Sequence, residues 1–299
     1  MNTIGHNSIV VGIDGSPSSE AAFDWALDEA ARRHLPLHLV SARERDLPID
    51  AGLLDSPATA TAVMTQARNL TEELLATHSA RALRAHPTLA VTTESSPSFA
   101  AAALVELSSR ADTVVVGNRG HGILMGKLLG SVSTQVTMHA DCPVVVVGEH
   151  VDGRKERRGV VVGVDGSSGS EQALAYAFEQ ASTRQTRLDV VHAWWTTVPG
   201  GVTVDLLRAQ QTLQALGMSE SMAGWSEKHP DVQVTEHLPL GPAVLALLEQ
   251  ARHAELLVVG SRGLGGFRRL MLGSVSHGVL QHAHCPVAVI RPRGDRHGS

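Results

Sequence analysis

One property of this 299-residue sequence limits its fold more than any other: it is written twice. S-I-V-V-G-I-D-G-S at 8–16 returns as G-V-V-V-G-V-D-G-S at 159–167. V-V-V-G-N-R-G at 114–120 returns as L-V-V-G-S-R-G at 257–263, and L-L-G-S-V-S at 128–133 as M-L-G-S-V-S at 271–276. D-C-P-V-V-V-V at 141–147 returns as H-C-P-V-A-V-I at 284–290. Asp14 and Asp165 stand 151 residues apart, whereas Gly117/Gly260, Gly130/Gly273 and Cys142/Cys285 all stand 143 apart. One ancestral unit has therefore been duplicated and has changed length in its middle. A repeat this long is a globular domain and not a solenoid module. The expected domains are 1–150 and 151–299, joined by a polar linker at about 149–158.

Within the first repeat, short β-branched runs fall at Ile9–Asp14, Leu37–Ala42, Leu89–Glu94, Thr113–Gly117 and Val144–Gly148. Helical spacing separates them, as in Ser18–His34 (Ala22, Trp25, Ala26, Ala30) and Thr59–Ala85. Nearly continuous Val/Ile strands are buried on both faces, which predicts a parallel sheet covered by helices. The fold class expected is α/β, with two tandem doubly wound five-stranded domains. Such sheets take ligands beyond the carboxyl ends of their strands, where the strand order reverses.

Composition removes several classes of function. An apolar fraction of 43% is too high for disorder, and no stretch approaches the ~20 apolar residues of a membrane helix. A net charge of −5 argues against a nucleic-acid binder. The N-terminal M-N-T-I-G-H-N-S has no basic region before an apolar one, so no secretory signal is expected. Two cysteines are too few for a disulfide framework. The expected location is the cytoplasm.

The loop after the fourth strand carries the strongest chemical signal. Gly117-Asn118-Arg119-Gly120 is followed, after nine residues, by Gly130-Ser131-Val132-Ser133. Gly260-Ser261-Arg262-Gly263 and Gly273-Ser274-Val275-Ser276 repeat that spacing. Glycines permit positive φ and close backbone approach, and the second Gly-Ser opens a helix whose free N–H groups favour an anion. Ser131 and Ser133 add hydroxyls, and Lys127 a countercharge. The plainer alternative is a tight turn in which Ser131 is only an N-cap. Duplication of every Gly and Ser favours a polyphosphate cradle.

Better-known phosphate motifs fail here. Gly126-Lys127 is followed by Leu128 and position 121 is His121, which breaks a P-loop. The first turn, Gly12-Ile13-Asp14-Gly15-Ser16, has no Gly-x-Gly-x-x-Gly fingerprint, and kinase signatures are missing. Asp14 and Asp165 end equivalent strands. Each is either a helix N-cap or a carboxylate for ribose, adenine or a Mg²⁺ bridging phosphates.

Gly-x2-Gly-x9-Gly-Ser, preceded by a V-V-G-x-D-G-S strand and followed by Cys-Pro-V-x-V, resembles the universal stress protein family in tandem form. The resemblance spans about 8–148 and 159–292. It implies a parallel sheet ordered 3-2-1-4-5 and, in the family's nucleotide-binding branch, ATP or AMP as ligand. It further implies a regulator of stress, dormancy or growth arrest in place of a dedicated metabolic enzyme. By position it puts Gly12 and Asp14 near the adenosine and the backbone of Ala42 at the adenine. Gly117, Asn118, Arg119, Gly120, His121, Gly122, Lys127, Gly130, Ser131, Val132 and Ser133 wrap the phosphates. The second copy uses Gly163, Asp165, Ala193, Gly260, Ser261, Arg262, Gly263, Leu264, Gly265, Gly273, Ser274, Val275 and Ser276. Lys127 aligns with Leu270, so the cation there shifts to Arg268 or Arg269.

Other features point away from chemistry. Sixteen histidines include His282-x-His284-Cys285, but the first repeat has His139-Ala140-Asp141-Cys142, so no metal site is expected. Each cysteine precedes Pro and a buried strand, which reads as a packed thiol. No nucleophile elbow or placed Cys–His pair supports catalysis. Trp194-Trp195 has no twin and fits either an interface patch or a lid. The sequence therefore describes an ATP-binding regulator with about two nucleotides per chain; the alternative is a slow ATPase or adenylyl-transferring enzyme using the same pockets. The apolar final strands Val144–Gly148 and Pro286–Arg291 are expected to be hidden by packing the halves as a pseudo-two-fold dimer, with a further homodimer of whole chains open.

Overall fold

The structure is a computed structural model that describes residues 7–42, 57–120, 129–149, 158–195, 203–263 and 272–291. The described residues form two compact units, 7–149 and 158–291.

The first unit runs β1 (Ser8–Gly12), α1 (Pro17–Arg33), β2 (Leu37–Ala42), α2 (Pro57–Ala85), β3 (Val91–Ser96), α3 (Ala100–Ser108), β4 (Ala111–Gly117), α4 (Ser131–His139) and β5 (Val144–Val147). Its strands pair in parallel in the order β3-β2-β1-β4-β5. The second unit runs β6 (Val160–Gly163), α5 (Ser168–Arg184), β7 (Leu188–Val191), α6 (Val204–Lys228), β8 (Val234–His237), α7 (Ala243–Gln250), β9 (Leu256–Gly260), α8 (Ser274–His282) and β10 (Val287–Ile290). Its parallel order, β8-β7-β6-β9-β10, is the same arrangement by position.

The valine-rich strands are buried throughout: Ile9, Val10 and Val11 are fully covered, as are Val160 and Val162. On α1, Ala22, Phe23, Ala26 and Ala30 are solvent-free, as are Ala173, Ala177, Phe178 and Ala181 on α5. The alanine stripe lets each helix lie close to its sheet. Each fully buried phenylalanine adds about 2–3 kcal/mol of burial.

The first helix of each unit is punctuated alike. Ser16 and Ser167 are the N-caps, their hydroxyls accepting from the Ser19 and Ser170 amides. His34 and Gln185 end the helices in the left-handed conformation, at φ 53° and 51°. Several strand limits differ from expectation by one or two residues, and two of the differences have a visible cause. β1 stops at Gly12 because Asp14 turns away to bond Ser16. β3 starts at Val91, two residues late, because Leu89 still donates to His86 in the turn after α2.

One cross-strand pair is exchanged between the units. His38 faces Thr92 in register, with Nδ1 2.7 Å from Thr92 Oγ1 and Nε2 3.4 Å from Glu94 Oε2. At the equivalent places Asp189 and His237 meet at 2.8 Å, with Arg187 Nε also donating to Asp189 at 3.0 Å. Base and acid have traded strands while the contact is kept.

Candidate functional site

The loops leaving β1 and β4 converge at the carboxyl end of the sheet, next to the switch in strand order. Asp14 is exposed; its Oδ1 accepts from the Ser16 amide at 2.9 Å and from Ser16 Oγ at 2.6 Å. Ser16 is thus the helix cap and Asp14 braces it, which sets aside the reading of Asp14 as the cap. Asp165 accepts from Ser167 N at 3.1 Å and Oγ at 2.6 Å in the same way. The turn needs a left-handed residue after each carboxylate, and Gly15 (φ 84°) and Gly166 (φ 81°) supply it.

The second carboxylate oxygen reaches the β4 loop. A Cβ on Gly120 would lie 2.8 Å from Asp14 Oδ2, and one on Gly263 would overlap Asp165 Oδ2. Gly117 meets α1 instead: its Cβ would sit 2.8 Å from the carbonyl carbon of Ser18 and 2.9 Å from Ser19 N. A Cβ on Gly260 would be 3.0 Å from the Gly169 carbonyl. Gly117, Gly120, Gly260 and Gly263 do not take positive φ, contrary to expectation. They are required for close approach alone.

Behind them the loop is tied to the next helix. Asn118 N donates to Val147 O and Gly130 N to Asn118 O, both at 2.8 Å; Ser261 N and Gly273 N repeat the pattern at 2.7 and 2.8 Å. Ser133 and Ser276 are buried, with hydroxyls donating to Gly130 O (3.0 Å) and Gly260 O (2.7 Å). These two serines therefore fasten the loop; they are not the open donors expected from sequence. Gly130 and Gly273 are the N-caps of α4 and α8, and no side chain caps either helix. Ser131 and Ser274 are exposed, and the first-turn amides of Val132 and Val275 receive no side-chain cap.

Other expected site residues divide. Arg119 is exposed beside Gly120, and Arg262 is half-buried beside Gly263. Ala42 and Ala193, both half-buried, end or follow the second strand of their units. Gly12 and Gly163 are packing positions, since a Cβ there would press on Leu104 at 3.0 Å and Leu247 at 3.1 Å. His121, Gly122, Lys127, Leu264, Gly265, Arg268, Arg269 and Leu270 lie outside the described residues. The tryptophan pair is split: Trp194 is buried and donates to Leu238 O, whereas Trp195 is 68% exposed.

Three residues of the second unit were not singled out from sequence. His192 bonds Val164 O through Nδ1 and Gln214 Oε1 through Nε2, both at 2.9 Å. With Glu171 they line a cavity of about 160 Å³ that reaches Asp165. The one available signal was His192 in the place of Ser41, immediately before Ala193. The remaining chemistry is quiet. His139 and His282 bond the carbonyls of Gln135 and Gly278 in their own helices. Burial pushes the Cys142 thiol up to about 12. Among the described residues no helix is long and apolar enough to cross a membrane.

These features define a tandem doubly wound α/β protein whose two strand-end sites share one construction. A profile of the universal stress protein family matches residues 6–148 and again 156–291. A universal stress protein of Mycobacterium tuberculosis (strain ATCC 25618 / H37Rv) is 37% identical over 292 residues, covering 95% of this chain and 96% of that protein. One from Mycolicibacterium smegmatis is 38% identical over 291 residues, covering 95% and 97%. The crystal structure of a universal stress protein from Archaeoglobus fulgidus DSM 4304 shares the fold at TM-score 0.65 and 20% identity, covering 98% of both chains. The chain belongs to the universal stress protein family.

Proposed function

We propose that each unit binds one ATP and that the chain works as a nucleotide-dependent regulator in a cytoplasmic stress, dormancy or growth response. The observation that carries this reading is the doubled contact of a carboxylate with a glycine α-carbon, Asp14 on Gly120 and Asp165 on Gly263. In both units a carboxylate, the kind of acceptor a ribose hydroxyl would need, stands near a helix N-terminus that has no side-chain cap.

In this reading the first-turn amides of α4 and α8 receive the phosphates, with Ser131 and Ser274 as additional donors. Asp14 and Asp165 accept from ribose hydroxyls, or hold a Mg²⁺ that offsets their repulsion of the phosphates. The Ala42 and Ala193 backbones meet the base. Mass spectrometry of nucleotide carried through a rapid purification, followed by calorimetric titration of the stripped chain, tests the reading. Retained adenine nucleotide and about two equivalents of ATP are expected; no retained nucleotide and no heat would refute it.

A further inference from the structure

The two units differ most where their first and second helices face each other. In the first unit Glu20 on α1 is held from α2. Its Oε1 accepts from His78 Nε2 at 2.8 Å and its Oε2 from Arg81 Nη1 at 2.9 Å. Arg81 also bonds Asp24 and lies over the Phe23 ring at 5.0 Å; His78 meets that ring edge-on at 4.8 Å. Two planar groups rich in N–H donors therefore fill the space beside one carboxylate.

Register carries each position into the second unit. The caps Ser16 and Ser167 match α1 to α5 at a spacing of 151, and the strand starts Val91 and Val234 match α2 to α6 at 143. Glu171 then stands for Glu20, but Ser221 stands for His78, Gly224 for Arg81 and Gly217 for Leu74. Leu174 replaces Phe23 and Ala175 replaces Asp24. Everything that held the carboxylate has shrunk, and the carboxylate remains. The space is open: Glu171, Leu174, Gly217 and Ser221 line the cavity of about 160 Å³, and a Cβ on Gly217 or Gly224 would meet nothing within 4 Å. Asp165 adds a second carboxylate to its wall. A cavity of about 150 Å³ is enough for one benzene-sized ring.

We propose that this cavity binds a small planar organic cation with adjacent N–H donors, of the guanidinium, amidinium or imidazolium class, anchored on Glu171. The ligand supplies to Glu171 what His78 and Arg81 supply to Glu20. Planar N–H forks match a carboxylate in a way that a spherical cation does not. The cavity shares Asp165 with the proposed nucleotide site of the second unit, whereas its anchor Glu171 and its α6 lining, Gly217 and Ser221, have no part in that reading.

Titration of the nucleotide-free full chain with methylguanidinium, imidazolium and tetramethylammonium, each as chloride salt, tests the proposal. Saturable binding of one equivalent of methylguanidinium or imidazolium is expected, with none of tetramethylammonium. Glu171→Gln should weaken it by about tenfold or more, the loss expected for a charge-assisted pair. The double substitution S221H/G224R restores the first unit's own side chains, so it should stay folded and abolish binding. The converse H78S/R81G should add a second equivalent. No saturable binding, equal binding of tetramethylammonium, or unchanged binding in Glu171→Gln or S221H/G224R would overturn the proposal. An ATP titration of the same proteins reports separately on the nucleotide site.

Discussion

The carboxylate of Asp14 rests against the α-carbon of Gly120, so close that a methyl group there would sit 2.8 Å from Oδ2. Asp165 and Gly263 repeat the contact in the second unit. The obstacle in each case is the end of a side chain. Gly120→Ala and Gly263→Ala should therefore fold and push the aspartate aside. Each is expected to lower ATP affinity about tenfold at its own site, or about 1.4 kcal/mol, with a melting temperature close to that of the unchanged chain. Calorimetric titration with a parallel thermal melt checks both halves of the expectation.

Gly117→Ala should behave differently. Its methyl group would meet backbone of α1, 2.8 Å from the Ser18 carbonyl carbon and 2.9 Å from Ser19 N, and backbone cannot rotate away. The expected cost is about 1–3 kcal/mol of stability, as for overpacking elsewhere. Urea unfolding should show a lower midpoint with an unchanged slope. A midpoint equal to that of Gly120→Ala would show that α1 yields easily at its N-terminus.

The contrast between these glycines marks where sequence reading stops. The duplication, the valine runs and the two Gly-Ser spacings were enough for the α/β class and for the strand-end loops. Spacing alone does not say which glycine needs φ and which needs room. Gly15 and Gly166 are the turn glycines with positive φ, while Gly12 and Gly163, expected near the adenosine, are contacts for Leu104 and Leu247. Ser133 and Ser276 look like open donors in the sequence and are buried, because a helix-start hydroxyl at that position reaches back to its own loop. The equivalence of Glu171 with Glu20 follows directly from the 151-residue spacing, but the exchange of His78 for Ser221 and of Arg81 for Gly224 was hidden by the length change between the repeats. It emerges only when α2 and α6 are set in register from the strands that follow them.

His38 should give the first unit an acid-sensitive edge. Burial holds its pKa below the ordinary histidine value; the Glu94 carboxylate opposes that shift and Arg110 adds to it. The unfolded chain then binds a proton more readily than the folded one, so stability rises with pH across this window. The contribution is complete above about 6.5, the unfolded value, and is lost as pH falls toward the lower folded value. Urea midpoints measured between pH 7.5 and 5 should fall with acid, and His38→Gln should flatten that fall whatever its effect at neutral pH. An unaltered profile in His38→Gln would assign the acid sensitivity to other groups.

Cys142 should resist alkylation. It is buried just before β5, and loss of solvation raises its thiol to about 12 against an opposing backbone hydrogen bond from Val114, with Asp112 and Asp141 adding smaller upward contributions. Only the thiolate attacks iodoacetamide. At pH 8 a free cysteine near 8.5 is about one-quarter ionised, whereas a thiol near 12 is ionised to about one part in ten thousand. Labelling of Cys142 in the folded chain should therefore run roughly two-thousandfold slower than that of a free thiol, before any allowance for access. Denaturation in urea should bring it to the free rate. Mass spectrometry of peptides after timed exposure separates Cys142 from Cys285, which is also buried and provides an internal comparison. Rapid labelling of Cys142 without denaturant would mean that the turn between α4 and β5 opens to solvent on the timescale of the reaction, since neither burial nor the neighbouring carboxylates favours a reactive thiolate in the closed form.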